Sequence, residues 1–264
     1  MTVAIVSDYL EEKLINLTFR NTAYVTPGTE IWVSLHTANP TDVGNGSEVI
    51  YTSYGRVQVT AWDAPSARAT QNTNPITFPT PGSAGNAPVT YIGIFDAETN
   101  GNLLFYGALS ASKTIQNGIP FEIAAGAIDI AFSGAVSTYL ATKWFNHVLR
   151  NTAFTTPGTN IYVGLNTTDP TVDDSGNEVA GNNYGRIQVT AWDAPGGTGG
   201  ATQNTNLIQF ATPSGSWGTP AYVKINDAST TGNMLYFGAL VGGGLVGAGD
   251  DFHFDAGALD ISIS

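Results

Sequence analysis

The sequence predicts an all-β protein made of two tandem antiparallel β-sandwich domains, each preceded by a short amphipathic α-helix. Three observations carry this expectation. The stretch Tyr54-Gly55-Arg56-Val57-Gln58-Val59-Thr60-Ala61-Trp62-Asp63-Ala64-Pro65 returns as Tyr184-Gly185-Arg186-Ile187-Gln188-Val189-Thr190-Ala191-Trp192-Asp193-Ala194-Pro195, so the chain is a tandem duplication with expected domains at 1–133 and 134–264. Gly (31) and Pro (13) are abundant while only 11% of residues are charged, a composition suited to many short strands joined by turns. Several segments also alternate apolar and polar side chains with a period of two. Each half is long enough to bury a core and is expected to fold as a unit.

Each unit opens on a helix. Over residues 7–20, Leu10, Leu14 and Leu17 share one face, Ser7 caps the start, Asp8, Glu11 and Glu12 suit the positive end, and Arg20 suits the other. The second copy, 137–150, keeps the Tyr-Leu pair, Lys143, Asn146 and the final Arg, but carries Trp144 and Phe145 in place of Leu14 and Ile15. These helices are expected to cover one end of a sheet core, with a partner-facing surface as the alternative. A Thr-Pro-Gly-Thr turn follows at 26–29 and 156–159, with Pro fixing one φ and Gly freeing the next. In the strand at 31–36, Ile31, Val33 and Leu35 alternate with Trp32, Ser34 and His36, so one face is expected to point inward; its counterpart is 161–166.

The loop at 38–48 differs between copies. Its counterpart carries Asp173, Asp174 and Glu178, which invite a calcium reading but lack the spacing of a calcium loop, so a polar turn is expected. In the repeated strand that follows, Arg56 and Arg186 are placed to pair with a carboxylate or lie over an aromatic ring. Asp63 and Asp193, in Trp-Asp-Ala-Pro, are expected to cap the turn before the proline. The polar stretches 69–74 and 201–206 either tie down backbone or are used in binding. Hairpins are expected at 91–109 and 222–240, and closing strands at 121–130 and 252–261. The segment 241–249 is rich in glycine but is not followed by a helix, so it reads as a mobile hairpin loop and not as a phosphate cradle. The joint at 132–136 is too short for a long flexible linker, so the units should touch or hold a limited range of angles.

A net charge of -12 disfavours nucleic acid or an anionic membrane as partner. The absence of Cys excludes disulfides and thiolate metal sites. Residues 1–6 lack the pattern of a signal peptide and no apolar run reaches the length of a membrane span, so a soluble protein not exported by the general secretory route is expected. His36, His147 and His253 fall opposite Asn166, Leu17 and Glu122, so no histidine recurs and no Ser-His-Asp or histidine-metal site is supported in both halves. The repeated carboxylates Asp63/Asp193, Asp96/Asp227 and Asp129/Asp260 lie in turns or at strand ends. No catalytic activity, cofactor or metal is expected.

The ordered series Ser-Asp-Tyr-Leu-Glu-Glu-Lys-Leu, Ile-Trp-Val-Ser-Leu-His-Thr-Ala-Asn-Pro-Thr, 91–96, 101–109 and 123–130 resembles a family of small structural proteins of tailed bacteriophages, often labelled tail-fibre-like. The resemblance runs nearly end to end through each copy. It implies a non-enzymatic component of the virion exterior, made in the host cytoplasm, with other virion proteins (major capsid protein or tail proteins) as partners. The chain has no heptads or short shaft repeats, which inclines the reading toward head decoration over a fibre shaft. The rival reading is a carbohydrate-binding module that meets a host surface glycan on exposed tryptophans. The stacking platforms would be Trp32, Trp62, Trp192 and Trp217, and with Trp144 these make up the candidate interaction surface.

Overall fold

The structure, a computed structural model, describes residues 5–196 and 200–263; the first four residues, on which the reading of the chain's start partly rests, lie outside them. The first repeat contains β1 (Ile5–Val6), α1 (Asp8–Phe19), β2 (Trp32–His36), β3 (Val57–Gln58), β4 (Ala69–Gln71), β5 (Ile76–Thr77), β6 (Val89–Phe95), β7 (Leu103–Lys113), β8 (Glu122–Ile123) and β9 (Asp129–Ala131). The second contains α2 (Thr138–Leu149), β10 (Tyr162–Asn166), β11 (Ile187–Gln188), β12 (Ala201–Gln203), β13 (Ile208–Gln209), β14 (Tyr222–Asn226), β15 (Met234–Ala239), β16 (His253–Phe254) and β17 (Asp260–Ser262). The fold is mainly β, as the repeat and the alternation predict.

In the first repeat the main sheet has the order β1-β7-β6-β2-β3, with antiparallel neighbours. Two ribbons, β4–β9 and β5–β8, send Ile76, Ile123 and Ile130 into the same core as Ile31, Val33 and Leu35 of the sheet side. The second repeat reproduces this as β11-β10-β14-β15 with ribbons β12–β17 and β13–β16. Its leading strand shrinks to the single bridge Val136↔Tyr236.

Local chemistry explains the element ends. Ser7 and Ser137 cap their helices by accepting from the amides of Leu10 (3.2 Å) and Leu140 (3.1 Å), and each hydroxyl also donates to a sheet carbonyl, of Leu103 and Met234. The hairpin turns close on a carboxylate: Asp96 accepts from the backbone amide (2.6 Å) and the side chain (2.8 Å) of Asn102, and Asp227 does the same for Asn233. Asp63 and Asp193 act differently from the expected turn caps. Asp63 accepts from Thr73 Oγ1 (2.6 Å) and Gln71 Nε2 (2.8 Å), and Asp193 from Thr205 and Gln203, so each fastens the polar stretch that follows it. These hydrogen bonds hold both carboxyls below the ordinary carboxylate range. Asn72 and Asn204 complete that fastening, each bonded to three backbone groups of its own unit. The retained polar stretches thus tie down backbone.

Two expectations are revised. The strand β2 is buried on both faces, with Ser34 at 0% and His36 at 1% exposure beside Val33 and Leu35. The loop at 38–48 folds back along the strand, with Thr37 N donating to Ser47 O and Val49 N to Leu35 O, and Tyr106 fixes its start by donating to Asp42. The glycine-rich segment at 241–249 is fastened in its middle, where Val246 is buried and pairs with Gly218.

The helices do not merely close their own sheets. α1 packs on β7 of its own repeat and on β12 of the other, while α2 packs on β15 and on β4. One hydrophobic cluster consequently runs from Val6 to Ile263 through both repeats. The accessible surface is 11322 Å² for 27.6 kDa. One compact body of that mass exposes about 11,000 Å², whereas two separate half-size bodies would expose about 13,000 Å². The units are joined as one body.

Candidate functional site: the seam between the repeats

The seam is built from residues related by the duplication, whose copies lie 130 positions apart over this part of the chain. Arg20, just past α1, donates from Nε to the carbonyl of Trp192 (3.2 Å), and Arg150, just past α2, donates to the carbonyl of Trp62. Thr26 donates to Asn151 (2.9 Å), and Thr156 to Asn21 (2.9 Å). These are reciprocal pairs: residue i of one copy meets residue j of the other, and j meets i, which is the signature of a twofold interface within one chain. Buried Glu11 adds a cross-repeat bond by accepting from the Gly200 amide.

Aromatic side chains fill the middle. Trp144 is fully buried, donates from Nε1 to Thr18 Oγ1 (3.0 Å), and packs edge-on against Phe132 at 5.2 Å. Phe145 meets Phe132 at 4.7 Å and Phe105 at 6.4 Å, while Phe19 meets Trp192 at 5.1 Å and Tyr236 at 5.5 Å. His147 bridges the repeats. Its Nδ1 accepts from the Phe154 amide (3.1 Å), which leaves Nε2–H to donate to the carbonyl of Tyr24 (2.8 Å). Burial lowers the pKa of this imidazole, partly offset by the Tyr24 carbonyl, so the neutral tautomer fits both bonds. A shallow groove of about 430 Å³ opens beside it, with Tyr24 in its wall and the 83% exposed Val25 at its edge.

The five tryptophans do not form one surface. Trp144 lies in the seam, Trp62 and Trp192 flank it at 4% and 5% exposure, and Trp217 is buried in the second repeat against Tyr184 and Phe210 with its indole N–H on the Asn182 carbonyl. The expectation that Trp62, Trp192 and Trp217 are exposed stacking platforms is corrected by this burial: their rings are used in packing. Trp32 is half-buried and donates to Glu30.

Each repeat also carries an arginine-carboxylate cluster on its sheet. Arg56 makes two bonds to Glu48 (3.2 and 3.0 Å), donates to the carbonyls of Ala97 and Asn100, and lies 3.6 Å from the centre of the Phe95 ring. Both expected arginine contacts therefore occur together. Arg186 repeats the pairing with Glu178 (2.8 and 2.7 Å), and here Lys224 joins, 3.0 Å from Glu178 and 2.9 Å from Asp174. The position that a calcium ion would need beside Asp174 and Glu178 is taken by the Lys224 ammonium. Burial pushes the Glu178 carboxyl up, but hydrogen bonds and charge from Arg186 and Lys224 outweigh it and leave it below the ordinary range. Among the described residues no group of three or more His, Cys, Asp or Glu is arranged to hold a metal, and no helix is long and apolar enough to cross a membrane.

The short joint at 132–136 led to the expectation that the units touch, but the residues of the seam were not identified from the sequence. The signal available was the replacement of Leu14 and Ile15 by Trp144 and Phe145, a gain of aromatic bulk on a helix face that one small sheet does not require.

A family model described as podophage GP4 fiber I protein gp80 matches the chain twice, over residues 5–131 and 135–262. No curated protein matches it.

Proposed function

The chain belongs to the podophage GP4 fiber I protein gp80 family, and from that premise we propose that it is a non-enzymatic, tail-associated component of a podophage virion, acting as a rigid two-unit block. The observation that carries this reading is the seam: both family units are held in one orientation by a continuous core, so the pair presents two similar outer surfaces at a fixed spacing. Such a block suits two-point attachment to virion proteins, where a second contact made at no further orientational cost raises apparent affinity. Tail association is preferred to head decoration because the family description names a fibre protein. The glycan reading is weakened by the burial of four of the five tryptophans, which leaves Trp32 as its platform.

Cryo-electron microscopy of the source particle tests the proposal. Density for the two-unit block at the tail is the expected result; density on the head would establish decoration instead, and absence of the chain from purified virions would remove the structural role. A glycan array reads the rival: saccharide binding lost in Trp32→Ala would favour host recognition.

A further inference from the structure

The seam is twofold in the bonds of Arg20 and Arg150 and of Thr26 and Thr156, but not in three side chains of its helices. Leu14, Leu17 and Thr18 of the first repeat stand where the second has Trp144, His147 and Val148. Across the seam Trp144 donates to Thr18 Oγ1, with both residues at 0% exposure. We infer that the seam is heterospecific, so that each unit is complementary to the opposite unit and not to a second copy of itself.

The pair that exists is one of three that a twofold interface between such units would permit. Two second-type units would set Trp144 against Val148. The indole N–H would then be buried without an acceptor, and a valine would occupy the place where the ring now meets a threonine. Two first-type units would set Leu14 against Thr18, which buries a hydroxyl without its donor and leaves unfilled the volume of the missing indole. The His147 bond to the Tyr24 carbonyl disfavours the first-type pair alone, because Leu17 has no polar atom to offer, while a backbone carbonyl is present in either unit. One large donor facing one small acceptor satisfies the seam only in the mixed arrangement. The partner this surface fits is therefore a unit of the opposite type, which the intact chain supplies from its own other half. Arg68 fastens the joint that supplies it, donating to the carbonyls of Gly134 (3.0 Å) and Val136 (3.2 Å). In a particle that gathers several copies, this selectivity keeps like units of neighbouring chains from pairing. The inference holds whatever the chain's place on the virion.

Three full-length variants test it by thermal unfolding. Leu14→Trp with Thr18→Val makes the first repeat resemble the second, Trp144→Leu with Val148→Thr does the reverse, and the third variant carries all four changes. Each one-sided exchange is expected to lower Tm by about 5 °C or more, and the four-fold exchange to recover more than half of the summed loss. Unchanged Tm in the one-sided variants, or a four-fold variant that recovers half or less, overturns the inference. If a one-sided variant does not fold, the milder pair Thr18→Val and Trp144→Phe decides. Losses that fall short of additivity in the double variant support the coupling, and additive losses overturn it.

Discussion

Lys224 and Gly93 occupy the same place in two copies of one strand, and their neighbours have changed with them. A side chain at Gly93 would begin 2.8 Å from the Phe95 ring and 2.9 Å from Ser34 Oγ, so His36, Ser34 and Phe95 exclude one. In the second repeat Ser34 becomes Gly164, His36 becomes Asn166, Phe95 becomes Asn226 and Gly44 becomes Asp174, which frees the space for a lysine and supplies its counter-charge. Glu178 consequently balances two cations where Glu48 balances one. Glu178→Gln is expected to cost about 2–4 kcal/mol, somewhat under the range for a fully buried pair because the carboxylate keeps contact with water, and Glu48→Gln less; urea unfolding that ranks them the other way rejects the account. His147 makes the seam sensitive to acid. Its folded pKa lies below the ordinary 6.5, with burial as the cause, so the unfolded chain takes up a proton that the folded seam does not. The stabilisation is complete above about pH 6.5 and is lost as pH falls toward the folded value. Burial lowers His36 in the same way. His147→Leu should remove part of this acid-side loss and His36→Asn a further part, as read from stability-pH profiles; a profile that His147→Leu leaves unmoved refutes the assignment.

The helices show how one element serves two neighbours. Each is fixed at its start by a serine that caps the first turn and reaches the sheet, and at its end by an arginine that reaches the other repeat. An amphipathic helix on a single small sheet needs one apolar stripe. α2 buries Leu140, Ala141, Trp144, Phe145, Val148 and Leu149, a face wide enough for two contacts. Ser137→Ala removes a cap and the bond to Met234 O together, and is expected to cost about 2 kcal/mol, the upper end for cap removal. Circular dichroism in urea measures this, and a loss under a few tenths of a kcal/mol would mean that the cap does not hold the helix to the sheet.

Continuity of the core decides how the molecule as a whole behaves. Both repeats contribute to a single cluster, and the residues that join them are among the most buried in the chain, with Trp144, Phe145 and Ile15 at 0% exposure. Unfolding one repeat would expose the seam face of the other, so the two should unfold together in one calorimetric transition. Trp144→Ala, which opens a cavity in the seam at a cost of about 3–5 kcal/mol, should shift that transition as a unit. Two separated transitions in the unaltered chain would contradict a shared core.

The sequence by itself determined the duplication, the helix that opens each unit, the hairpins that turn at Asp96 and Asp227, and the choice of a carboxylate or an aromatic ring for Arg56 and Arg186. The duplication follows from comparing the two halves, and each of the others from contacts between residues close in the chain or from the period of one segment, which a single strand or helix carries in its own order. Tertiary structure alone decided that Ser34 and His36 are buried, that Trp62 and Trp192 are packing residues, and that α1 and α2 belong to both repeats. Alternation reveals that a strand has two faces but not what will cover the second, and here a folded-back loop covers it. The burial of a tryptophan likewise depends on which distant surface arrives against it. In this protein that surface is the other copy of the same unit, altered at Leu14, Thr18, Trp144 and Val148 so that the two fit each other.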